Sequence, residues 1–162
     1  MRKKKRGKKQ EAAYSGSLYS IAIQHERQQK YDAARRMFQL LLNSYESDAA
    51  IGGAEAEAPD GRVILAWGKM EARLNNDWAM RKAFASGLRL LPNNTHIPHA
   101  WAIEEQKMGN VDSARKLFRY ALECDPSDGL VYQSYALLEQ QHGRLEVYIY
   151  IYSIYNIYIR AR

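Results

Sequence analysis

The stretch His96 to Pro126, HIPHAWAIEEQKMGNVDSARKLFRYALECDP, recurs along this chain at a spacing of 34 residues. No other feature narrows the possible folds as much. Trp101 falls on Trp67 and Tyr135, and the neighbouring Ala102 falls on Gly68 and Ala136. Glu105 falls on Glu71 and Glu139, while Arg115, Phe118 and Pro126 fall on Arg81, Phe84 and Pro92. An earlier copy lies 46 residues before the second, with Ala22, Arg35, Phe38 and Leu41 in register. The twelve extra residues fall in ESDAAIGGAEAEAPDG, so residues 46–61 are expected to form a low-complexity loop.

Within each unit the apolar residues follow a helical period twice, with a break at Gly109-Asn110 and its equivalents. Glycine and asparagine tolerate the positive φ that a tight turn between helices requires. Asp112 is expected to cap the second helix, and Pro126 to end the unit. A period of 34 with one aromatic, one small residue and a closing proline marks stacked helix pairs. The expected fold is all-α, a right-handed superhelix of helix pairs forming a partial array over residues 13–146.

The columns that such stacking creates have definite chemistry. Trp67, Trp101 and Tyr135, with Phe38, Phe84 and Phe118 of the second helices, are expected to form the repeat core, not a base-stacking platform. Glu71, Glu105 and Glu139 are expected to bond the Arg35, Arg81 and Arg115 column within each repeat. Arg27, Arg73 and Lys107 share a position on the first helices, with Lys69 nearby, and form a basic ladder that can track the phosphates of single-stranded RNA. A solvated face accounts for such a ladder equally simply, because Arg36, Lys82 and Lys116 make a similar column on the second helices.

Net charge does not decide between these. The first nine residues, MRKKKRGKK, hold seven of the 24 basic residues, which leaves 17 against 18 acids in the body. Residues 1–12 read as a basic disordered tail: a nuclear-import signal or phosphate-binding arm on one reading, a solvated lysine run on the other. Cys124, the one cysteine, allows no internal disulfide. No apolar run is long enough for a membrane span. His96 and His99 lack the further ligands that zinc needs, so no metal site is expected. No phosphate loop or nucleophile–base set is present, and neither a cofactor, a small-molecule substrate nor an enzymatic activity is expected.

Residues 147–162 break the pattern, reading VYIYIYSIYNIYIRAR where an Ala-Arg pair should follow. Strict Ile-Tyr alternation has period two but no polar face, with high β-propensity and a tendency to aggregate. Alternating T and A codons encode it, and translation past a splice donor at Val147 into an intron accounts for it. A mature transcript carrying the Ile-Tyr codons would contradict that origin.

The unit as a whole, Trp-small, Glu four on, Gly-Asn, Ala-Arg-x-x-Phe and Pro, resembles the half-a-TPR (HAT) repeat. The resemblance covers about Leu18 to Glu146, and HAWAIEEQKMGNVDSARKLFRYALECDP looks most like the plastid group that matures and stabilises photosystem II messages. It implies a non-enzymatic, plastid factor that binds single-stranded RNA leaders in a helical-repeat groove. The alternative is a nuclear HAT scaffold that holds other proteins of a splicing or 3′-end-processing complex. The first pair departs from the pattern, with Ile21 and His25 in the aromatic and Glu positions.

Overall fold

The computed structural model describes residues 18–51 and 59–160. Every regular element among these is an α-helix, and no strand is found among them. The helices are α1 (18–27), α2 (Tyr31–Ile51), α3 (Gly61–Arg73), α4 (Asp77–Leu90), α5 (His96–Lys107), α6 (Val111–Cys124), α7 (Gly129–Gln141) and α8 (Leu145–Arg160). Odd and even helices alternate as the two arms of successive hairpins. The basic tail, residues 13–17 and residues 52–58 lie outside the described residues.

One backbone device closes every hairpin turn. Gln29, Asn75, Gly109 and Gly143 have φ of 58°, 54°, 79° and 72°. The next residue's amide then bonds back to the carbonyl five residues earlier: Lys30 to His25, Asn76 to Glu71, Asn110 to Glu105 and Arg144 to Glu139, at 2.9–3.0 Å. This left-handed residue satisfies the otherwise orphaned last carbonyls and reverses the chain in about three residues.

Two expectations are corrected, and one open segment takes a definite form. Residues 46–51 are not loop: α2 runs on to Ile51, because Glu-Ser-Asp-Ala-Ala-Ile contains no breaker and the first glycine is Gly52. Asp112 is not a cap, since α6 begins at Val111 and Asp112 lies in its first turn, paired with Arg115 at 2.9 Å. The Ile-Tyr segment, whose pattern fits neither period cleanly, forms α8, the second arm of the fourth hairpin. Val147, Tyr148, Ile151, Ile154 and Tyr155 fall on one helical stripe and pack on the core of α7. Because both parities of the alternation are apolar, a helical stripe is available, and its burial outweighs the intrinsic β-propensity. The opposite face leaves Ile149, Tyr150 and Ile157 exposed.

The chain divides into two compact units at Ser86/Gly87. In the first, Phe38, Leu41, Ile64, Met70, Met80 and Phe84 are fully buried. Gly68 lets Phe84 of the same hairpin come in: a Cβ at Gly68 would lie 2.5 Å from the ring's Cζ. In the second, Phe118, Ala102, Ala114, Ala121, Tyr135 and Leu138 make the core. There Gly129 takes the same part towards the Tyr155 ring, 2.8 Å from a built Cβ.

Candidate functional site: seams and first-helix face

The seam between successive hairpins is a repeated polar lock on an aromatic stack. In the first unit Glu71 is fully buried and receives both arms of Arg35, Nε at 2.7 Å and Nη2 at 2.8 Å. Trp67 Nε1 donates to the same carboxylate at 3.0 Å and Asn76 Nδ2 at 3.1 Å. In the second unit Glu139, also fully buried, receives Arg115 Nε at 2.7 Å and Nη2 at 2.9 Å. Bidentate pairing satisfies a carboxylate that could not otherwise stay charged away from water. It also raises both guanidinium pKa values further. The arginines' share of that contribution is complete below the ordinary arginine value and is lost only as pH rises through the raised one, so alkaline titration of these guanidinium groups does not open the lock.

The lock is therefore not within each repeat, as expected from the columns. Arg35 belongs to α2 and Glu71 to α3, Arg115 to α6 and Glu139 to α7: each arginine grips the next hairpin. The rings follow the same rule. Phe38 stacks on Trp67 with centroids 6.2 Å apart and planes at 11°, and Phe118 on Tyr135 at 5.7 Å and 19°. Tyr135 brings a hydroxyl in place of the indole N–H, and Arg119 Nε donates to it at 3.2 Å. Trp101 is half-buried and donates to Glu105 at 2.9 Å, with Asn110 Nδ2 on the other oxygen at 2.8 Å.

The four cations of the basic ladder are all exposed, but they are not equivalent. Arg73 is paired with Glu26 of α1, and Lys107 bonds both oxygens of Glu104 on its own helix, at 2.9 and 3.1 Å. Arg27 and Lys69 have no ion pair among the described residues. Within each unit the first helices are tied to one another along this face, α1 to α3 in the first and α5 to α7 in the second. Besides Arg73–Glu26, Gln106 Nε2 donates to Gln141 at 2.9 Å, and His99 Nε2 meets Ser134 Oγ at 2.9 Å. Sequence reasoning missed these ties; the cue is a polar residue one position before the ladder column, Glu26 and Gln106, with Ala72 in the second pair.

Among the described residues no group of three His, Cys, Asp or Glu side chains is arranged to hold a metal. Cys124 donates to the Pro92 carbonyl at 3.3 Å, and burial together with Glu123 pushes its thiol pKa up, which disfavours the reactive thiolate. No described helix is long and apolar enough to cross a membrane.

No protein-family model matches the chain, and no curated protein matches it. Solved structures do. The crystal structure of MamA has a TM-score of 0.66 at 11% identity, over 97% of this chain and 85% of that one. A mutant form of MamA has a TM-score of 0.51 at 21% identity, over 89% of this chain and 96% of that one. At such identities the likeness is one of fold: this chain is an all-α protein of the TPR-like helical-repeat class.

Proposed function

We propose that this TPR-like chain is a non-enzymatic scaffold whose helical hairpins hold a partner protein, in an RNA-processing assembly of the kind the HAT resemblance implies. The observation that carries this reading is the state of the first-helix face. Two of its four ladder cations are neutralised by Glu26 and Glu104, which reduces its pull on a phosphate backbone. The near-balance of charge in the body points the same way, because non-specific RNA affinity comes chiefly from uncompensated cations.

A second reading is single-stranded RNA binding of the plastid message-stabilising type, with the inner face sequestering a 5′ leader. It is favoured by Arg27 and Lys69, which are exposed and free of carboxylates among the described residues. Two arms separate the readings. The full chain is immobilised and offered nuclease-treated extract; in parallel, labelled single-stranded RNA is titrated against the chain at physiological salt. A scaffold retains a defined, stoichiometric partner without RNA and binds the RNA no better than an unrelated protein. Tight RNA binding that is lost when Arg27, Lys69, Arg73 and Lys107 become Glu, with helicity intact, would overturn the scaffold and support the second reading. A plastid or nuclear location follows from whichever assembly is found.

A further inference from the structure

The turn edge of the first unit carries a hollow that the repeat pattern does not explain. Where α1 turns into α2 beside the end of α3, two adjoining depressions of about 410 and 650 Å³ share Gln29, Tyr31 and Leu74. The smaller is lined by Ile23 and Leu74 over the fully buried Met70, with Glu26, Arg27 and Arg73 at its side. The larger adds Lys30, Asp32, Arg35 and Arg36.

Its charges are unevenly satisfied. Asp32 is taken up by Arg35, whose other arms hold Glu71, and Glu26 is taken up by Arg73. Arg27, Lys30 and Arg36 remain exposed around the opening, with no carboxylate of the described residues on any of them. The two depressions together thus carry three uncompensated cations, Arg27 at the smaller and Lys30 and Arg36 at the larger, on either side of the shared Leu74. A carboxylate next to such cations gains charge-assisted hydrogen bonds, and the floor favours an aliphatic side chain leaving water.

We propose that this hollow, with Ile23 and Leu74 in its floor, Arg27 beside the smaller depression and Lys30 and Arg36 beside the larger, binds a short acidic segment of a partner protein with one aliphatic side chain in the floor. The assignment rests on the scaffold reading and names the chemistry of the partner. Aliphatic lining favours it over nucleic acid: single-stranded RNA calls for successive aromatic faces, and Tyr31 is the one aromatic residue in either depression. Acidic-motif capture by an arginine and lysine cluster is a recurring mode of peptide recognition.

The experiment uses the full chain and a fluorescent peptide of about twelve residues, rich in Asp and Glu with one central Leu. Fluorescence anisotropy is expected to show saturable binding that weakens at least tenfold for Arg27→Glu/Lys30→Glu/Arg36→Glu. A Gln triple at the same positions, gentler on folding, is expected to weaken it at least threefold, and Leu→Ser in the peptide likewise. The charge-matched control Lys82→Glu/Lys116→Glu/Arg144→Glu is expected to change it less than twofold. No binding to the unaltered chain, equal loss in the control triple, or indifference to the peptide's leucine would each overturn the assignment. So would a uridine dodecamer that binds more tightly and is lost in the same triple. If the hollow variants still retain the stoichiometric partner from nuclease-treated extract, the hollow falls while the scaffold stands; failure of that retention by the unaltered chain is failure of the scaffold itself.

Discussion

Arg115→Ala is expected to destabilise the protein by about 3–5 kcal/mol, the usual consequence of removing one member of a buried ion pair. Glu139 has no exposed surface and Arg115 only 11% of its side chain, so water cannot take the place of the lost guanidinium. Most of the cost lies in stranding the carboxylate, not in the worth of the pair itself. Arg115→Leu/Glu139→Leu should therefore lose far less than the two single changes summed. Urea unfolding of the four proteins gives the coupling directly. Arg62→Ala removes a pair with Asp60 whose arginine side chain is 73% exposed, and should leave the unfolding midpoint nearly unchanged. A loss at position 115 as small as that would show that Glu139 is open to water and that the seam is not locked as described.

Gly68→Ala is the second large effect, and its sign is informative. In a helix interior, glycine to alanine ordinarily gains about 1 kcal/mol. Here the new methyl would lie 2.5 Å from Phe84 Cζ and 2.7 Å from both Cε atoms, and that ring is fully buried with no room to swing. Overpacking of this kind typically costs about 1–3 kcal/mol, at the upper end when a rigid ring must move, so a net loss near 2 kcal/mol is expected. Leucine at position 84 in the same chain should recover part of it by shortening the side chain. Measured stabilisation by Gly68→Ala would mean that α3 and α4 do not approach so closely.

The repeat told more about columns than about their partners. Glu71 and Glu105 each have an arginine ten residues on within their own hairpin, Arg81 and Arg115, and another in the hairpin before; Glu139 has only the latter, Arg115. A period of 34 places both without choosing. The choice comes from the orientation of the first helix: Trp67 and Glu71, one turn apart, face back towards Phe38 and Arg35. The ladder shows the same limit, since Arg73 and Lys107 align in sequence but find different acids, Glu26 and Glu104. Glu26 and Gln106 reach the next first helix within their own units, whereas Lys107 pairs with Glu104 on its own helix. The turns were legible at Gly109 and Gly143 but less so at Gln29, where the same left-handed conformation is imposed by the hairpin on a residue with no preference for it. α8 was not legible as a helix, because its burial against α7 is a tertiary gain that local propensity opposes.

Proton–proton contacts between aromatic side chains report most directly on whether one hairpin's second helix grips the first helix of the next. In a chain with selectively protonated aromatics, nuclear Overhauser cross-peaks are expected between Phe38 and Trp67 and between Phe118 and Tyr135, whose ring centroids lie 6.2 and 5.7 Å apart. Absence of both, in a folded helical sample, would contradict the stacking of these hairpins and with it the scaffold built on them.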